Sequence, residues 1–237
     1  MTSTPGAPRT RRRPSISSSA ASALSALPKP RLRGVVHQWS FFAALLAGGV
    51  LLVLAPTGFA RLAAGIYAFG LCALLGASAL YHRGEWSARV EPWMRRLDHS
   101  MIFVLIAGTY TPIALLALKG TFAQVVLVVV WVGAAAGILF SLLWIEAPAW
   151  LVALIYIALG WFLVAVFPAV FASLGPVGAG LIAGGGLLYT VGAVIYARAR
   201  PDPVPDVFGY HEVFHVLVVA AAALHYTAIV GFVLPAV

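Results

Sequence analysis

Charged side chains are scarce in this sequence. They make up 9% of its 237 residues, where a soluble domain carries roughly 25%. With 62% hydrophobic residues and a mean hydropathy of +0.99, the chain has more apolar surface than a folded interior can hide, and lipid must cover the excess. A soluble globular class is thereby excluded. Cysteine is nearly absent too. Cys72 stands alone in an apolar stretch, so no internal disulfide can form and the residue reads as a small packed hydrophobe. The length holds a tail and several spans of about 20 residues, with no room for a second domain.

The little charge present leans basic, with a net +8 at neutral pH. In a soluble protein that balance would point to nucleic acid. In a chain built for lipid it reports orientation, and membrane lipids rather than nucleic acid are the expected partners.

Residues 1–34 are rich in Ser, Pro, Arg and Ala and too poor in large apolar groups to build a core; they read as a disordered basic cytoplasmic tail. An export signal is the weaker reading, because the stretch after the arginine run is mostly Ser and Ala and is followed by Lys29, Arg31 and Arg33. Residues 35–237 then form a membrane domain of seven apolar runs, at about 35–55, 62–81, 97–118, 122–145, 148–171, 177–197 and 207–234. Each is long enough to cross about 30 Å of hydrocarbon as a helix. The runs are continuous rather than alternating, which rules against barrel strands. Pro56, Pro148, Pro176 and the series Pro201, Pro203, Pro205 fall at the breaks, whereas Pro112 and Pro168 fall inside spans and should bend them.

With the amino terminus in the cytoplasm and seven crossings, the inside segments hold thirteen basic residues and the outside loops only Arg61 and Lys119. That asymmetry is what the positive-inside rule requires, and it puts the carboxyl terminus outside. The expected location is the cell membrane.

The same topology collects polar groups at one depth. His82 ends the second span, Asp98 and His99 open the third, and His211, Glu212 and His215 open the seventh, all on the cytoplasmic side. An ionisable group at the edge of hydrocarbon costs about 2 to 3 kcal/mol, so a cluster needs a compensating partner, and a cation is the economical one. His211 and His215, four apart on a helix, share one face. His82 is the candidate third ligand at matching depth, while His225 lies about 15 Å deeper along the last span. A hydrogen-bonded polar network without metal is the other reading of the cluster. His37, His99 and His225 read as hydrogen-bonded packing groups. The string from His211 to His215 also matches the H-E-x-x-H of zinc proteases, but that motif belongs to a soluble fold that this chain cannot form.

At these residues the chain resembles the hemolysin III family, bacterial relatives of the adiponectin and progestin receptors and of alkaline ceramidases. The strings that carry the likeness are Ser78-Ala79-Leu80-Tyr81-His82, then Leu97-Asp98-His99 with Ile106 to Pro112, then Gly209 to His215. The resemblance covers about residues 35–237. It implies a seven-helix bundle with a cytoplasmic amino terminus and a zinc ion on His82, His211 and His215, with Ser78 and Asp98 beside it. Ser78 lies four residues before His82, on the same helical face.

Three neutral imidazoles leave zinc an open position, which suits a hydrolase. In that reading Asp98 holds or deprotonates water and Ser78 donates to developing oxyanion charge, on a lipid amide or ester entering from the bilayer. The lipid substrate is implied by the relatives and not by spacing. The alternative is a structural zinc tying distant spans together in a receptor-like or membrane-homeostasis protein. A cytolysin, suggested by the family's name, is the third reading; spans four to six hold too few polar groups to line a pore. The glycines at 184–186 read as helix packing.

Overall fold

The computed structural model describes residues 30–204 and 206–236. The stretch read as a tail therefore lies outside the described residues as far as residue 29. Its last residues, 31–34, form a turn whose Arg31 and Leu32 amides donate to the Asp206 and Val207 carbonyls.

All named elements are helical: α1 (Val35–Leu54), α2 (Gly58–Arg83), α3 (Glu91–Pro112), α4 (Gly120–Leu143), α5 (Ala149–Gly160), α6 (Leu163–Arg198) and α7 (Tyr210–Ala228). Among the described residues, six helical stretches are long and apolar enough to cross a membrane, with Ala149–Arg198 forming one stretch of 50 residues. α2 packs most extensively on α3 and α1, and α6 on α7, so the chain builds an up-and-down bundle from sequential neighbours.

Helix ends follow local chemistry. The Thr57 hydroxyl caps α2 by accepting from the Ala60 amide. α3 begins at Glu91, six residues before the apolar run, with Pro92 in its first turn. Apolar content could not reveal that turn, because it is polar: Tyr81 donates to Glu91 and Arg96 to the Leu142 carbonyl.

Breaks inside the apolar runs come from residues that cannot complete the ladder. Pro112 has no amide to give Gly108, and the chain continues as a π turn over Ile113–Ala117, with the Leu118 amide reaching the Ile113 carbonyl. The run expected to be continuous over 148–171 is interrupted at Trp161 and Phe162. There Val164 donates to Trp161 instead of Gly160, and the Tyr110 hydroxyl takes the released Gly160 carbonyl at 2.8 Å. Within α6 the one non-helical residue is Gly175, at φ 68 and ψ −179, a conformation open essentially to glycine. Pro176 follows it, and proline disfavours helical geometry in the residue before it. The boundary between the fifth and sixth apolar runs thus coincides with a backbone break. At Pro168 the helix holds its torsions.

Two glycines let α3 approach α2 closely. A Cβ on Gly108 would meet the Ile66 carbonyl at 3.3 Å, and one on Gly70 the Val104 carbonyl at 3.2 Å. This contact brings the residues of α2 and α3 that matter most into one layer.

Candidate metal centre

One end of the bundle, where α2 finishes and α3 and α7 begin, carries the cluster. His82 ends α2 and His211 and His215 lie in the first two turns of α7. Their ring centroids are 4.6 Å apart for His82 and His211, 4.6 Å for His211 and His215, and 5.1 Å for His82 and His215. One nitrogen from each falls within 4.8 Å of the others, and the Nε2 atoms of His82 and His211 are 3.1 Å apart. A tetrahedral ion with metal–nitrogen bonds of 2.0 to 2.1 Å would separate its ligand nitrogens by about 3.3 Å. The His82–His211 pair already stands near that separation, and His215, within 4.8 Å of both, has only to swing inward for the trio to hold an ion. Nδ1 of His215 is buried and has no hydrogen-bond partner among the described residues, so its ring is incompletely satisfied by protein alone.

Asp98, Ser78 and His37 form the next layer. Asp98 Oδ2 lies 3.8 Å from His82 Nε2, and Ser78 lines the cavity with Asp98. Ser78 Oγ is also 2.8 Å from His37 Nδ1. The His37 ring stacks on His215, centroids 3.7 Å apart and planes 14° apart. His37 is thus hydrogen-bonded, and it also braces a member of the trio. His99 lies at the cavity wall beside Asp98, with Tyr156 donating to its carbonyl. His225 is far from the trio, bonded through Nε2 to the Ile182 carbonyl at 3.0 Å.

Spacing alone could not reveal the device that aims α7. Glu212 is fully buried and pairs with Arg33. Its other oxygen accepts from the Gly209 amide at 2.8 Å, closing the first turn of α7 in the manner of a capping box. Arg33 reaches it from the turn ahead of α1, where Gly34 adopts φ 79. A Cβ there would lie 2.7 Å from that of His82, so glycine is required both by the torsion and by the space. Glu212 follows Gly209 by three residues, which is the one local signal that could have marked it. Its partner 179 residues away leaves no trace in spacing.

A cavity of about 440 Å³ opens from this layer into the bundle. His37, Ser78, Asp98, His211 and His215 stand at one end, and Ile106, Ile113, Phe167 and Ile182 are among the apolar residues along it. Such a volume suits a small or chain-like ligand.

Fold and site together define a polytopic helical membrane protein with a three-histidine candidate metal site facing an apolar cavity. The sequence profile described as "Haemolysin-III related" matches residues 25–226, and the chain belongs to that family. Hemolysin-3 of Bacillus cereus is 32% identical over 147 residues, 62% of this chain and 64% of that protein. The Hemolysin-3 homolog of Bacillus subtilis is 37% identical over 127 residues, 54% of this chain and 57% of the relative. The matches therefore span less than two thirds of either bacterial protein. Human monocyte to macrophage differentiation factor is 28% identical over 81% of this chain and 79% of its own length. No solved structure matches the chain.

Proposed function

We propose that this chain crosses the cell membrane seven times, amino terminus in the cytoplasm and carboxyl terminus outside, and acts as a zinc-dependent hydrolase of lipid amides or esters. The distribution of basic residues supports the topology. So does the Ala149–Arg198 stretch of 50 residues. At 1.5 Å per residue it would be about 75 Å long, more than twice the hydrocarbon thickness, and Gly175 supplies the break for a second crossing.

The observation that carries the catalytic reading is the cavity that joins the histidines to the apolar middle of the bundle. A structural ion needs no such access, whereas an acyl chain needs a dry channel that ends at the reacting group. His82, His211 and His215 would hold zinc through neutral imidazoles, and the bound ion would supply Lewis acidity toward water and the scissile carbonyl. The protein's own groups then divide the remaining work. Asp98 is the base that orients water and takes its proton. With His37 protonated at Nδ1, that nitrogen donates to Ser78 Oγ and leaves the Ser78 proton free to turn toward Asp98, which orients the carboxylate. Ser78 donates to developing oxyanion charge by turning from Asp98 as that carboxylate is protonated.

Purified protein should hydrolyse an acyl-lipid amide or ester with zinc and stop on chelation. Asp98→Ala should cost about 10²- to 10⁴-fold in turnover. Zinc-dependent hydrolysis unchanged by that substitution contradicts the assignment. A structural ion is the second reading, favoured by the proximity of Asp98 Oδ2 to the trio, which would let it close the coordination sphere. In that case chelation lowers the unfolding temperature and there is no turnover to lose.

A further inference from the structure

At the far end of the cavity from the histidine trio, most polar groups have partners. Thr190 donates to the Gly186 carbonyl and accepts from Trp161 Nε1. Tyr110 donates to the Gly160 carbonyl. Two do not: the Tyr189 hydroxyl and Nδ1 of His225 are buried with no hydrogen-bond partner among the described residues. Their rings are neighbours, centroids 5.5 Å apart, and both residues line the same cavity as the trio.

The chemistry of the pair is specific. A carbonyl can only accept, so Nε2 of His225 is the protonated nitrogen that donates to Ile182, and Nδ1 of the neutral ring presents a bare lone pair. It calls for a donor. The Tyr189 hydroxyl has a proton to give. A group that donates to one and accepts from the other is a hydroxyl; a ketone or ester carbonyl satisfies only the tyrosine. His225 is 8% exposed, and it fits only because α6 offers glycine opposite, since a Cβ on Gly185 would lie 2.3 Å from its ring. An orphaned donor and an orphaned acceptor on neighbouring rings of one cavity lining are costly unless something completes them.

The separation from the trio follows from helix geometry. His225 lies ten residues beyond His215, about 15 Å along α7. Tyr189 lies seven residues before Tyr196, whose ring faces His211, about 10 Å along α6. An extended chain advances roughly 1.25 Å per carbon, given bonds near 1.5 Å, so the interval corresponds to about eight to twelve carbons. We propose that Tyr189 and His225 form a hydroxyl-recognition point in the cavity, selecting lipid chains that carry a hydroxyl at that interval from the group held at the histidines. The assignment of a lipid chain rests on the proposed function; the hydroxyl preference does not depend on turnover.

The test is competition binding to the full-length protein in detergent, with and without chelator. The probes are stearate and stearates hydroxylated at carbon two, ten or twelve. The chain hydroxylated at carbon ten or twelve should bind about tenfold tighter than stearate, as two net hydrogen bonds give, and carbon two should give no gain. Tyr189→Phe keeps the ring and should remove most of the preference while stearate binds as before; His225→Leu should remove the rest. Equal affinity for all four chains overturns the inference, because water then completes the pair, and so does absence of binding by every chain. A preference that persists without any zinc-dependent hydrolysis sinks the hydrolase reading alone. Intact hydrolysis with equal affinities sinks only the inference.

Discussion

The paired helices α2 and α3 differ from α4 and the Ala149–Arg198 stretch in a way that bears on where Ser78, His82 and Asp98 sit. In the span windows of α2 and α3, 56% and 67% of residues are buried in the protein; for α4 the share is 28%, and for Ala149–Arg198 it is 22%. The inner pair approaches closely through Gly70 and Gly108 and carries Ser78, His82 and Asp98. The outer stretches turn Val128, Val132, Leu143 and Val164 outward, where lipid receives them. A charged group facing lipid has no partner, so ionisable residues collect where protein surrounds them.

That contrast can be broken by substitution. The largest stability effect should come from Glu212→Ala, which leaves the Arg33 guanidinium without its buried partner; removal of one member of a buried pair costs about 3 to 5 kcal/mol. Thermal unfolding in detergent reads it, and an unchanged midpoint means that the turn ahead of α1 is not held by that pair. Next is Gly137→Ala on α4. A Cβ there would lie 2.2 Å from the Phe103 ring, which is itself buried, and the overpacking should cost about 1 to 3 kcal/mol. A neutral result would show that the outer layer yields freely. Tyr110→Phe removes the hydroxyl that satisfies Gly160 and should cost about 1 kcal/mol. Leu46→Ala, at a position 76% exposed and facing lipid, should stay within about 0.5 kcal/mol. An effect comparable to that of Gly137→Ala would mean that a partner chain covers that face.

Hydropathy made the helices legible because run length and continuity are direct consequences of the solvent. It could not reveal the polar first turn of α3 from Glu91, nor the interruption at Trp161, which depends on a hydroxyl arriving from Tyr110. At the site, His82, His211, His215 and Asp98 were readable because topology sets depth and the helical period sets direction. Ser78 entered through the family strings. Arg33 lay hidden because its partner is far along the chain, and Gly34 because its need arises only when His82 packs over it. His37, read as a packing group, stacks on His215 instead; its place at the start of its span, at the depth of His82, was the signal that could have tied it to the site. The break at Gly175 was written in the Gly-Pro pair.

The histidine trio as a metal site is tested most directly by elemental analysis of purified protein beside a His211→Ala, His215→Ala double variant, with helical content checked by circular dichroism. The account predicts about one zinc per chain in the parent, as a three-imidazole site holds, and almost none in the variant at unchanged helicity. Equal and negligible metal in both would contradict it, leaving the 3.1 Å contact between His82 and His211 a hydrogen bond between two imidazoles.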